Sequence, residues 1–138
     1  MKKEKSCGVI VINKDKQILL VKHQAGHYGF PKGHVESGET EIETAIRETK
    51  EETNIDVSII GEYRFVISYD TKYNTYKDVV YFIGYPTTHK IIPELVEVSE
   101  VKWVDYKQVS SLLQFQNIID MWNNLVLPIL DDIIDKIK

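Results

Sequence analysis

At 138 residues, with 43% hydrophobic and 28% charged side chains, the chain is long enough to bury one core without staples and too apolar to be disordered. A formal net charge of −4 gives no support for a general binder of nucleic-acid backbones. The single cysteine, Cys7, excludes a disulfide framework or a multi-cysteine metal site, and is expected to be a small buried residue in a strand, in a reducing cytoplasm.

In chain order the pattern reads β, α, β, α. "MKKEKSCGVIVIN" starts basic, but its apolar run breaks at Asn13, too soon for a signal peptide or a membrane span. "CGVIVIN" and "QILLVKH" flank the polar turn Asn13-Lys14-Asp15-Lys16 and predict a hairpin. A glycine-rich, proline-broken loop follows. Thr40 to Thr53 is predicted as a helix, because Ile42, Ala45, Ile46, Thr49 and Thr53 fall on one stripe at helical spacing. Ser37 or Thr40 is the candidate N-cap, and Asn54 suits the left-handed residue that often ends a helix. "IDVSIIGEYRFVISYD" and "DVVYFIGYPT", joined by the polar "TKYNT", predict an antiparallel pair, and "EVSEVKWVD" a further strand. The tail is expected to be helical over Val109 to Leu113 and Ile118 to Ile137, with Pro128 kinking or dividing the second stretch. No internal repeat or linker is visible, so residues 1–138 are read as one domain.

Six glutamates stand between Glu39 and Glu52 against Arg47 and Lys50, a local charge of −4 that equals the net charge of the whole chain. Glu48, Glu51 and Glu52, at i, i+3 and i+4, share a helix face beside the apolar stripe. Like charges at that spacing oppose helix formation by about a few tenths of a kcal/mol per pair, so the arrangement becomes favourable when a cation sits among them. Oxygen-only ligation with no Cys or His nearby indicates a hard ion, Mg²⁺ or Mn²⁺. The bland alternative is a solvated helix face.

Gly33, Glu39, Arg47, Glu48, Glu51 and Glu52 stand as G-x5-E-x7-R-E-x-x-E-E, and this resembles the Nudix box, the signature of Nudix hydrolases. The departures are Asn54, where the family has glycine, and Thr49, where it usually has an aliphatic residue. Asparagine takes the same left-handed conformation and threonine still offers a methyl to the core. The resemblance implies an α+β fold, a mixed β-sheet sandwiched between helices with the box as loop, helix, loop. It implies metals surrounded by the Gly33 carbonyl and by Glu48, Glu51 and Glu52, with Arg47 and Glu39 as a supporting ion pair. The implied reaction is metal-dependent hydrolysis of a phosphoanhydride in a nucleotide substrate, with Mg²⁺, or else Mn²⁺, as cofactor.

"YGFPKGHVESGE", Tyr28 to Glu39, resembles the diadenosine tetraphosphate hydrolase branch, which cleaves its substrate asymmetrically into ATP and AMP. That resemblance places Lys32 and His34 against phosphate oxygens and makes Tyr81 an adenine-stacking residue. It also makes Glu97, six residues before Trp103, an additional glutamate facing the metals, with Glu100 as the competing candidate. The family's partner aromatic near the C-terminus has no clear counterpart, the equivalent position falling near Pro128 with Trp122 and Phe115 the nearest aromatics, and His23, His27 and His89 are read as ordinary polar residues. The alternatives are removal of pyrophosphate from RNA 5′ ends, in which case nucleic acid is the partner, and a non-catalytic Nudix domain that binds nucleotide. No membrane partner is expected.

Overall fold

Helix α1, Glu41–Thr53, is defined at both ends by the chemistry its sequence offers. Thr40 is the N-cap: its hydroxyl accepts the Glu43 N–H at 3.1 Å while the Glu43 carboxylate accepts the Thr40 N–H at 2.9 Å, a reciprocal capping box. Asn54 ends the helix at φ 68°, donating its N–H to the Lys50 carbonyl at 2.9 Å. The computed structural model describes residues 2–71 and 73–137.

Seven strands surround this helix: β1 Lys2–Val11, β2 Gln17–His23, β3 Tyr28–Gly29, β4 Lys32–His34, β5 Val57–Asp70, β6 Thr75–Pro86 and β7 Val98–Asp105. They form a mixed four-stranded sheet, β4-β1-β6-β5, in which β1 and β6 run parallel, and a three-stranded antiparallel sheet, β3-β2-β7. Among the described residues, six short helices or turns follow β7: a 3-10 turn Tyr106–Gln108, α2 Val109–Leu112, α3 Gln116–Met121, a π-helical turn Trp122–Val126, a 3-10 turn Leu127–Ile129, and α4 Leu130–Asp135.

Strand β1 is central, and Ser6 to Val11 are buried without interruption. That is the burial of a strand covered on both faces, which explains why its sequence runs apolar instead of alternating. Cys7, Val9 and Val11 point with Ala45 of α1 into one core, and Ile10 and Ile12 point with Trp122, Leu130 and Ile133 into the other. The mixed sheet therefore lies between α1 and the C-terminal helices, the α+β arrangement expected. Helix periodicity is also informative where it departs from expectation. The buried side of α1 carries Thr44, Ala45, Thr49, Glu52 and Thr53, whereas Ile42 is 41% exposed. The buried stripe is thus rotated toward a glutamate.

The predicted β1–β2 hairpin does not form. Its turn does: Asn13 Oδ1 accepts the N–H groups of Asp15 and Gln17 at 3.0 Å each. The strands then touch through one bridge, Ile12 to Ile18, and separate into different sheets. Both edges of β1 are taken by β4 and β6, so β2 has no edge of β1 left to pair with. The glycine-rich loop contains β3 and β4, two strands too short for a pattern to reveal. The β5–β6 pair forms as expected, with Asn74 left-handed at φ 58° in the turn. The tail is helical but broken at Trp122 to Ile129, one turn before Pro128, whose missing N–H cannot continue an α-helical ladder.

Candidate active site

Arg47 organises the carboxylates of α1. Its guanidinium grips Glu39 through two bonds, Nε to Oε2 at 2.6 Å and Nη2 to Oε1 at 3.0 Å. Nη1 donates to Glu48 at 2.8 Å and Glu51 at 3.1 Å, and Nη2 also donates to the His34 carbonyl at 3.0 Å. Glu39 in addition accepts the Thr44 hydroxyl at 2.8 Å and the Glu36 N–H at 3.0 Å, and this bonding, the arginine first, holds its pKa down to about 2. The same carboxylates raise the pKa of Arg47 above its ordinary value. Glu39 and Arg47 thus connect the β4 loop to the helix, the geometry of a support for its neighbours.

Glu48 and Glu52 lie deeper. A side-chain carbon placed on Gly33 would land on the Glu48 carboxylate, so glycine lets that carboxylate rest against the β4 backbone, and a larger residue would make it swing away. Burial raises the Glu48 pKa against the pull of Arg47, with Glu51 and Glu97 adding to the rise. Glu52 is 3% exposed and accepts one N–H, from the backbone of Lys32 at 3.1 Å. Burial is the main reason its pKa reaches about 8, the Lys32 bond and charge opposing it and the charges of Glu48 and Glu97 reinforcing it. Glu51 is half-exposed at the rim.

Glu97 does not lie on a strand, because β7 begins at Val98; it is exposed, in the turn just before. Ser99 is skipped in the pairing between Glu100–Lys22 and Val98–His23, and this bulge lets Val98 and Val101 face one core together. The turn brings the Glu97 charge to bear on both Glu48 and Glu52. Glu100 points elsewhere, accepting the Tyr28 hydroxyl at 2.9 Å beside Lys102 at 3.6 Å.

The donor atoms gathered here are all oxygen: the Glu48, Glu51, Glu52 and Glu97 carboxylates and the Gly33 backbone beside them. Buried like charges that raise one another's pKa become favourable on gaining a divalent cation, and hard oxygen donors fit Mg²⁺ or Mn²⁺. Among the described residues, no three His, Cys, Asp or Glu side chains are placed together so that they could hold a metal ion in the present arrangement. Nη1 of Arg47 instead bonds both Glu48 and Glu51.

Next to the carboxylates opens a cavity of about 510 Å³ walled by Tyr28, Phe30, Lys32, Tyr69, Phe115 and others, and a second of about 690 Å³ continues beyond Tyr69 and Phe115, which line both. Lys32 stands at the inner end. Burial first and the neighbouring Lys77 second lower its pKa to about 8, with Glu52 and Glu48 opposing. Tyr81 lies on the cavity floor, but its ring is fully buried and packs edge-on against Phe30 at 5.5 Å between centroids, and its hydroxyl has no partner. It has no open face on which a base could lie, so the stacking role expected of it does not suit its place in the core. Nor does Trp122, also fully buried, offer a face, whereas Phe115 is 46% and Tyr69 36% exposed. The His34 side chain points outward, 3.6 Å from Glu4 at the second cavity, and its contribution to the carboxylate site is the backbone carbonyl that holds Arg47.

Three residues that sequence reasoning leaves aside stand in these cavities. Lys77 shares a face of β6 with Val79 and Tyr81, a period-2 relation legible in the sequence. The His23 and His27 rings lie 4.7 Å apart, tilted by 33°, and His27 meets the Phe115 ring edge-on at 5.1 Å. Burial lowers the pKa of both imidazoles, His23 to about 4 with the charges of His27 and then Lys32 adding, and His27 with that of Lys32. No spacing rule singles this pair out, because the rings meet only once β2 and β3 are paired.

A carboxylate-bearing loop–helix–loop set against the edge of a mixed sheet, with a cationic, aromatic cavity beside it, describes a hydrolase of the Nudix class. Residues 2–122 match the family model described as NUDIX domain, and the chain belongs to the Nudix family. It is 30% identical over 127 residues to the mouse (Mus musculus) bis(5′-nucleosyl)-tetraphosphatase [asymmetrical], covering 81% of this chain and 86% of that protein. It is 29% identical over 149 residues to an RNA pyrophosphohydrolase of Pelagibacter ubique, covering 95% and 89%. The crystal structure of a C. elegans Ap4A hydrolase binary complex superposes with a TM-score of 0.80 at 24% identity, covering 93% of this chain and 98% of that one, which shows the shared fold. No described helix is long and apolar enough to cross a membrane.

Proposed function

We propose that this Nudix hydrolase cleaves diadenosine tetraphosphate asymmetrically into ATP and AMP. The observation that carries the reading is the adjacency of three kinds of group: the exposed aromatics Tyr69 and Phe115 line both cavities, Lys32 lines the first and Lys77 the second, and the Lys32 backbone N–H bonds Glu52 with Glu48 nearby. A base, a polyphosphate and a divalent cation require aromatic, cationic and acidic groups side by side. Similarity to the mouse tetraphosphatase supports the same substrate class.

In this reading one adenine lies against Tyr69 and Phe115 by dispersion and π contact. Lys32 and Lys77 hold phosphate oxygens as point charges. Glu48, Glu51, Glu52, Glu97 and the Gly33 carbonyl hold Mg²⁺ or Mn²⁺, which when bound neutralises phosphate oxygens and acidifies water. Arg47 and Glu39 fix the direction of these carboxylates, with the His34 carbonyl as third anchor. The Glu97 carboxylate accepts the proton of the attacking water. The second reading, hydrolysis at RNA 5′ ends, is favoured by the Pelagibacter relative and by the continuation of the cleft past Phe115. A hydrolysis panel of diadenosine polyphosphates, mononucleotides and 5′-triphosphorylated RNA tests the choice. The highest kcat/KM is expected on diadenosine tetraphosphate; a higher value on RNA replaces this reading with the second, and no turnover of any substrate leaves a binding domain.

A further inference from the structure

Glu97 lies in a turn over residues 94–97 that no strand or helix contains, yet its charge acts on Glu48 and Glu52. Three sets of hydrogen bonds hold that turn. Toward α1, the Ile92 N–H donates to the Thr53 carbonyl at 3.0 Å and the Glu94 N–H to the Glu52 carbonyl at 3.2 Å. Carbonyls left open at a helix end are thereby used to seat the loop beside Glu52. Within the turn, the Val98 N–H donates to the Glu94 carbonyl at 3.0 Å, and the Glu94 carboxylate accepts the N–H groups of Val96 at 3.0 Å and Glu97 at 3.3 Å. From the loop between β2 and β3, Gln24 donates its backbone N–H to the Glu97 carbonyl at 3.0 Å. Its side-chain amide reaches the carbonyls of Leu95 at 2.7 Å and Val98 at 3.5 Å. Packing contributes little, since Leu95 and Val96 at the tip are 68% and 84% exposed.

We infer that Gln24, with Glu94, is a positioning residue for Glu97, holding the turn where the Glu97 carboxylate faces Glu52 across the end of α1. The inference rests on the role proposed above for Glu97. Gln24 is exposed and lines neither cavity of the cleft, so it acts through the turn and not through the substrate. Its amide is suited to the task because two N–H groups on one planar head can bond two carbonyls of the same turn.

The test is a double-mutant cycle on the full chain with Mg²⁺ and diadenosine tetraphosphate. Gln24→Ala is expected to lower kcat about tenfold with KM changed less than about twofold, and to change kcat less than about twofold in the Glu97→Gln background, where the group it positions is gone. In the metal-free protein the Glu97 and Val98 amides of Gln24→Ala should exchange with solvent about tenfold faster while the global unfolding midpoint stays in place. Equal losses of kcat in both backgrounds, or an unimpaired Gln24→Ala, overturn the inference while leaving the role of Glu97 standing. A fully active Glu97→Gln overturns that role and the inference together.

Discussion

Replacing Glu52 by glutamine separates the cost of burying a carboxyl from the use made of it. Glu52 is 3% exposed, with a pKa of about 8 caused chiefly by burial, against an ordinary 4.5. Between those values the folded carboxyl keeps a proton that the unfolded one has lost. The folded state therefore binds more protons, and the metal-free fold loses stability as pH rises from about 4.5 to 8. The full difference corresponds to about 5 kcal/mol as a ceiling, and solvent penetration reduces this to about 2–3 kcal/mol. His23 works in the opposite sense: its pKa is lowered to about 4, so its unfolded form takes a proton first and stability rises with pH between about 4 and 6.5. Because His23 is present in both proteins, the difference between parent and Glu52→Gln isolates the glutamate. Urea unfolding by circular dichroism, in chelator, at a series of pH values, is expected to show Glu52→Gln more stable by about 2–3 kcal/mol at pH 8 and nearly equal at pH 4.5. Parallel pH profiles of the two proteins would refute the reasoning.

Glu51→Gln should fold normally and lower kcat by about two to four orders of magnitude, and excess chelator should abolish turnover of the parent; full activity in chelator would remove the metal from the account. Glu97→Gln should cost about a hundredfold in kcat and Glu100→Gln less than about threefold, as Glu100 is engaged with Tyr28; steady-state kinetics showing the reverse would exchange their roles. Phe115→Ala should weaken substrate binding by about 1–3 kcal/mol, read in KM more than in kcat, whereas Tyr81→Ala should lose about 3–5 kcal/mol of fold stability. A stable Tyr81→Ala with a raised KM would return the stacking role to Tyr81.

What the sequence conveys and what it withholds follow from how local each feature is. Helix α1 is legible because its caps, Thr40 and Asn54, lie within the segment they terminate, and the spacing of Gly33 through Glu52 carries the family by itself. The β5–β6 pair is legible because its turn is short and polar. The fate of β1 is not, since it depends on β6, about seventy residues away, and on a strand of three residues, β4. Residue type also misleads at particular places. A glutamate beside an apolar stripe reads as solvated, yet Glu52 is buried because β4 covers it; an aromatic in the expected register reads as a stacking face, yet Tyr81 has Phe30 upon it. Glu97 is separated from Glu52 by forty-five positions, and only the bonds from Glu94 and Gln24 show how the two meet.

Hydrolysis of diadenosine tetraphosphate in H₂¹⁸O tests the central claim most directly. With one adenosine held at Tyr69 and Phe115 and the carboxylates beside Lys32, water is expected to attack the fourth phosphate counted from that adenosine. The products should be ATP and AMP, with the heavy oxygen in AMP. Two molecules of ADP, or label confined to ATP, would contradict the single-adenosine register on which the account depends.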